Sequence, residues 1–289
     1  MTRLIRLRDG DGRVRTGAVA DGATIDVFDG DDPLALLDGR PEPAASVEAL
    51  DAETLDLPSP WKLLAPVEAP ETWAAGVTYE RSRQARVAES RVESVYDLVY
   101  EAQRPELFLK DAAGRRTVGP REAIGVRGDA TWSVPEPELA LVLDADGDPL
   151  AVTIGNDVSS RDIEGANPLY LPQAKIYARA CALGPALLVP DDWTASFEIE
   201  LTVRDGGGAV VFEGRTSTAS MRRSFDELVG YLRRDNPIAR GTVLLTGTGV
   251  VPPDDVSLRP GYGVEIRVPG IGTLVNAVAP AGEIATTGV

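Results

Sequence analysis

The stretch Val134-Pro-Glu-Pro-Glu-Leu-Ala-Leu-Val-Leu143 constrains the fold of this chain more than any other. The apolar run Leu139 to Leu143 ends at Asp144-Ala-Asp-Gly147, the pattern of a buried strand closed by a turn. Two glutamates, Glu136 and Glu138, lead into it. Strand side chains at i and i+2 share a face, so both carboxylates converge on one point. A second apolar segment ends at Ile154-Gly-Asn-Asp-Val158 and adds a third acid, Asp157. Three hard oxygen ligands around one point suit Mg²⁺, or Mn²⁺, with water or substrate completing an octahedron. A lone Glu-x-Glu is more often a solvated acidic strand end, so the rest of the chain has to decide.

Runs with strand character recur between Gly and Pro punctuation at Trp73–Val77, Leu107–Lys110, Leu139–Leu143, Ala151–Asn156, Phe197–Arg204, Thr242–Thr246, Val264–Val268 and Thr273–Val278. Helical signals are fewer: an arginine-rich stretch from Tyr79 to about Glu89, an amphipathic one from Val95 to Ala102, and Ser224 to Arg234. The last opens with Ser224-x-x-Glu227, a capping box. Residues 1–65 carry short alternating runs, Asp-Gly turns and a Pro41–Ser46 stretch that reads as a linker, so a small N-terminal domain is expected there, with residues 66–289 as the main domain. The opening residues, Met1 to Gly10, alternate apolar and charged residues, which predicts a strand and not a signal peptide. Many short strands with three or four helices make a mixed, mainly β fold.

Composition narrows the chemistry. With no histidine in 289 residues, a Ser-His-Asp or Cys-His site, a zinc-histidine site and a histidine base are all excluded. Acid-base work falls to carboxylates, lysine, tyrosine or metal-bound water. The single cysteine, Cys181, cannot form an internal disulfide and reads as a small buried hydrophobe in a cytoplasmic protein. A net charge of −16 argues against nucleic-acid or anionic-membrane partners, and no apolar run is long enough to span a bilayer. The lysines are only Lys62, Lys110 and Lys175, against a much larger arginine count, which points to a GC-rich or salt-adapted host.

Four stretches together resemble the fumarylacetoacetate hydrolase superfamily. They are Pro135-Glu-Pro-Glu-Leu-Ala-Leu-Val142, Ile154-Gly-Asn-Asp-Val-Ser-Ser-Arg-Asp162, Lys175 ahead of Cys181-Ala-Leu-Gly-Pro185, and Gly241–Thr248 with Gly270–Val278. Three more segments, Gly76–Arg83, Arg104–Lys110 and Asp162–Lys175, are similar to the branch that dehydrates 2-keto-3-deoxy sugar acids. The resemblance implies a β-sandwich-roll catalytic domain beside a small N-terminal α/β domain, associating as a homodimer or homotetramer. It implies Mg²⁺ on Glu136, Glu138 and Asp157, Lys175 as the active-site lysine, and Thr248 in contact with the substrate's carboxyl or keto group. The hydrolases use a histidine-glutamate pair to activate water, and this chain has Glu-Arg-Ser-Arg-Gln-Ala-Arg where that histidine would stand.

A β-elimination from a 2-keto sugar acid needs no activated water, so it suits the groups present. The expected reaction is dehydration of a 2-keto-3-deoxypentonate to 2,5-dioxopentanoate. Lys175 is the expected base or electrostatic partner, its alternative being a structural ion pair with a ligand carboxylate. Glu106 is a second acid-base candidate, or else an outer carboxylate. Tyr79, Ser82, Arg83 and Lys110 are expected to bind substrate, the arginine being otherwise part of a solvated face. A Mg²⁺-dependent hydrolase or decarboxylase of a diketo acid is the rival reading; a metal-binding protein without catalysis and a Schiff-base lyase using Lys175 are further ones.

The dispersed acid makes a prediction of its own. Salt screens self-repulsion, so the melting temperature should hold or rise as KCl is raised to molar levels. A steady fall would contradict it.

Overall fold

The computed structural model describes residues 2–89 and 94–285. A twelve-stranded sheet forms its spine. Its middle is an antiparallel set in which Pro137–Leu143 lies between Pro149–Asp157 and Thr242–Leu245, and Pro149–Asp157 is followed by Cys181–Val189. Beyond Thr242–Leu245 the sheet continues through Glu71–Gly76, in parallel, to Glu106–Ala112. Beyond Cys181–Val189 it continues through Thr2–Arg8, Val14–Asp21, Thr24–Phe28 and Ala45–Glu48. The strands of the first 65 residues therefore extend the same sheet, and Ala45–Glu48 begins within the stretch that reads as a linker.

A second sheet of five strands, ordered Val210–Ser217, Glu198–Arg204, Gly263–Val268, Gly272–Pro280 and Ile124–Val126, packs face to face on the first. The strand Pro137–Leu143 shows why one apolar run was needed. Its odd positions, Leu139, Leu141 and Leu143, enter the core between the sheets. Its even positions, Ala140 and Val142, enter a second core with Leu34, Leu36, Val67 and Ala69 on the opposite face. A strand buried on both faces cannot alternate polar and apolar residues. Glu136 and Glu138 continue the even row past the end of that second core.

All eight expected strands are present, shifted by a residue or two at their ends. In the sequence, Cys181–Pro185 stands out only as a motif; in the fold Gly184 and Pro185 sit in the strand Cys181–Val189, whose pairing with Pro149–Asp157 shifts register beside them. Val210–Ser217 was also missed. It is a half-exposed edge strand with little apolar periodicity to reveal it. The helices Glu80–Glu89, Ser94–Glu101 and Phe225–Leu232 match expectation. Ser224 caps the last by accepting from the Glu227 amide at 3.1 Å. The Glu227 side chain pairs with Arg223, so half of the capping box is built.

Among the described residues no helix is long and apolar enough to cross a membrane. Truncating Leu141, fully buried between the sheets, should cost about 2–5 kcal/mol, whereas Val210→Ala on the exposed edge should cost under about 0.5 kcal/mol. Urea denaturation of both variants measures the difference.

Candidate active site

The metal-ligand candidates meet because two neighbouring strands end side by side. Pro137 pairs with Asn156 and Glu138 with Gly155, and one step further the Asp157 amide donates to the Glu136 carbonyl at 2.9 Å. The Glu136 amide in turn donates to the Asn156 side-chain oxygen at 3.2 Å. One carboxylate oxygen from each of Glu136, Glu138 and Asp157 lies within 4.8 Å of the others, and all three residues are buried. Glu138 also accepts from the Gly247 amide at 2.5 Å. That glycine has φ of +93°, and a Cβ there would stand 2.0 Å from the Thr78 hydroxyl, so no side chain fits.

Cations surround the three acids. Lys175 donates to Glu136 at 2.8 Å and to Asp157 at 2.9 Å, and its ammonium lies 5.7 Å from the centre of the Phe108 ring. It closes the short helix Leu171–Lys175, which the sequence reading did not foresee. Lys110 is fully buried behind Asp157. It forms an ion pair with that carboxylate and donates to the carbonyls of Val158 at 3.0 Å and Lys175 at 2.6 Å. Arg161, 1% exposed, reaches Glu136 at 3.5 Å from the start of the helix Arg161–Ala166.

A small cavity opens on this cluster, lined by Glu136, Asp157, Lys175, Arg161, Glu164, Glu106, Ser82 and Thr248, with Ala75, Val77 and Phe108 supplying its apolar wall. Glu106 begins the strand Glu106–Ala112 opposite Gly76. Its carboxylate occupies the space where a Cβ of residue 76 would be, at 2.1 Å, so glycine at 76 is what lets it lie there. Val77 holds φ of +52°, a costly conformation for a β-branched residue, at the cavity wall.

The other sequence candidates are placed as follows. Thr248 is buried at the cavity, its hydroxyl within 3.1 Å of the Val250 carbonyl and 3.2 Å of the Val250 amide. Ser82 donates to the Tyr79 carbonyl at 2.7 Å. Tyr79 is buried; burial first, and then the nearby Glu138 charge, raise its phenol above the ordinary range. Arg83 pairs with Glu80 and lies 5.4 Å over the Tyr100 ring, outside the cavity lining. Lys110 is likewise absent from the lining. Arg161 and Glu164 were not singled out from the sequence. The signal for them was their place in the segment that carries Asp157 into the helix, one turn apart.

Electrostatics test whether a divalent ion fits. Burial pushes the Glu138 carboxyl well above the usual carboxylate range, and the Asp157 and Glu136 charges push it further. Lys175 and the Gly247 amide oppose the shift without cancelling it. Three buried, converging carboxylates that repel one another are what a hard cation with oxygen preference relieves. The donor set fits Mg²⁺.

The family described as fumarylacetoacetate (FAA) hydrolase, C-terminal, matches residues 73–279, the span that holds every residue of this cluster. A probable 2-keto-3-deoxyxylonate dehydratase of Haloferax volcanii is 51% identical over 214 residues, covering 74% of this chain and 73% of its own. A 2-dehydro-3-deoxy-D-arabinonate dehydratase of Saccharolobus solfataricus is 46% identical over 225 residues, covering 75% and 74%. Among solved structures, a 2-keto-3-deoxy-D-arabinonate dehydratase complexed with magnesium and 2,5-dioxopentanoate superposes with a TM-score of 0.84 at 39% identity, covering 97% of this chain and 99% of that one. A motif match across most of the length, carried by the same strands that build the acidic cluster, places this chain in the fumarylacetoacetate hydrolase family.

Proposed function

We propose that this chain is a magnesium-dependent hydro-lyase that converts a 2-keto-3-deoxypentonate to 2,5-dioxopentanoate. The observation that carries the reading is the buried Glu136–Glu138–Asp157 cluster with Lys175 across it, in a chain without histidine. The two relatives and the solved complex support the same reaction by what they act on or bind. The chemistry falls within residues 66–289, which we take as the catalytic domain, with residues 1–65 as its small appendage. Two or four copies assembled in the cytoplasm complete the reading.

Glu136, Glu138 and Asp157 would hold the ion, which when bound polarises the substrate's 2-keto group and acidifies the C3 protons. Glu106 is the base: its carboxylate lines the cavity and is not one of the ligand trio. It takes a proton from C3, the C4–O bond breaks, and the departing hydroxyl takes that proton to leave as water. A proton shift from C5 to C3 and ketonisation then give the aldehyde. Lys175 is bound to two ligand carboxylates, so its part is that of a fixed cation beside developing negative charge. Thr248 and Ser82, both in the cavity lining, hold the substrate's carboxyl and hydroxyl groups; Tyr79, Arg83 and Lys110 stand outside that lining.

Two experiments test the proposal. Incubated with 2-keto-3-deoxy-D-xylonate and Mg²⁺ in D₂O, the protein should form 2,5-dioxopentanoate with deuterium entering at C3, and EDTA should stop it. Glu106→Gln and Lys175→Ala should each lower kcat on the order of 10²–10⁴-fold. Consumption of water with release of pyruvate from an acylpyruvate, and no action on the sugar acid, would replace this reading with the hydrolase one.

The raised Glu138 carboxyl predicts a pH effect with a definite sign. A carboxyl whose folded value lies above its unfolded value favours folding below the ordinary carboxylate range and loses that contribution as pH rises toward the folded value. Metal-free protein should therefore lose stability as pH rises above about 4.5, while Mg²⁺ offsets the loss. Glu138→Gln should raise the metal-free melting temperature and remove the increment that Mg²⁺ gives. A Glu138→Gln variant stabilised by Mg²⁺ as much as the parent would count against Glu138 as a ligand.

A further inference from the structure

A loop remote in sequence from the acidic cluster, Met221–Ser224, contacts two segments that each adjoin residues of the cavity lining, one next to Val77 and one leading to Glu106. Arg223 is 5% exposed, and its guanidinium serves four acceptors. It donates to the carbonyls of Val99 at 3.2 Å, Ala102 at 2.7 Å and Gln103 at 3.4 Å, and it pairs with the Glu227 carboxylate. Those three carbonyls belong to the C-terminal end of the helix Ser94–Glu101 and the turn that leaves it. End-of-helix carbonyls run out of ladder partners and carry the negative end of the helix dipole, so a buried cation belongs there. Gln103 is three residues from Glu106. Between them, Arg104 lies 5.3 Å from the ring of Tyr231 on the helix Phe225–Leu232.

The neighbouring arginine ties the same segment to the opposite wall. The Arg222 amide donates to the Thr78 carbonyl at 2.9 Å, and Met221 forms a β-bridge with Tyr79. The Arg222 side chain donates to the Tyr100 carbonyl at 2.9 Å, pairs with Glu101 at 3.0 Å and covers the Tyr100 ring at 5.0 Å. One loop thus grips the turn beside Glu138 and the segment that delivers Glu106.

We propose that Arg223 is a positioning residue. By clamping the carbonyls of residues 99, 102 and 103, it fixes where the Glu106 carboxylate stands, without touching metal or substrate. The strand pairing of Glu106 with Gly76 anchors one side of that residue; the turn held by Arg223 sets the other. This rests on Glu106 being the base. Lysine keeps the charge at 223 but has no planar fork to span several carbonyls.

The test uses Arg223→Lys, Arg223→Ala and Glu106→Gln in the full chain, with steady-state kinetics, C3 deuterium exchange and Mn²⁺ affinity. Arg223→Lys should lower kcat and C3 exchange roughly 10–100-fold while KM and the Mn²⁺ dissociation constant stay within about twofold, since a misplaced catalytic group costs kcat alone. Added guanidinium ion should restore part of the Arg223→Ala rate and none of the Glu106→Gln rate. Exchange at the parental rate in Arg223→Lys, or Mn²⁺ affinity falling in step with kcat, overturns the proposal. Should Glu106→Gln exchange C3 protons like the parent, it is the assignment of the base that fails.

Discussion

Burying three carboxylates within 4.8 Å of one another is costly, and the surrounding structure answers that cost. An ionised carboxylate taken out of water must be paired, hydrogen-bonded or neutralised. Here the pairing is layered. Lys175 bridges Glu136 and Asp157, Lys110 backs Asp157, Arg161 approaches Glu136, and a main-chain amide meets Glu138. Among the described residues Glu138 has the Gly247 amide as its direct partner, and its carboxyl is pushed upward. That uneven compensation leaves Glu138 the carboxyl that a further cation would relieve most.

The two sheets make this arrangement rigid. Pro137–Leu143 is gripped by a strand on either edge and by a core on either face, so its leading end has little freedom. Packing at near-crystalline density resists small shifts, which is what a site built from converging charges requires. The parallel strand Glu71–Gly76 and its partner Glu106–Ala112 then bring a further carboxylate to the cavity from a different part of the sheet. The clustered acids and Glu106 are thus brought together by separate strands of one continuous layer.

Much of this was legible before any coordinates. The i, i+2 glutamates and the acid after the next apolar run specify a convergent trio, since strand geometry leaves little choice. The missing histidine restricts the reaction by chemistry alone. Less legible were elements whose pattern is set by partners distant in sequence. Gly184 and Pro185 in a central strand obey a local register shift, and Val210–Ser217 takes its place from the neighbour it borders. Arg161 and Glu164 became site residues only because a short helix turns their segment back over the cavity. Lys110 illustrates the same limit: its motif marks it as important, but only the fold shows that its ammonium lies outside the cavity lining, on Asp157 and two carbonyls.

That lysine also gives the site a mechanical property. Its ammonium holds the Asp157 carboxylate and the Lys175 carbonyl at once, so one of the three clustered acids and the lysine that bridges it share one mount. Displacement of either is passed to the other through a group with no contact to solvent. The acidic cluster and the lysine that bridges it are thus tied to a single buried anchor, on neighbouring pieces of chain that the sequence separates by eighteen residues.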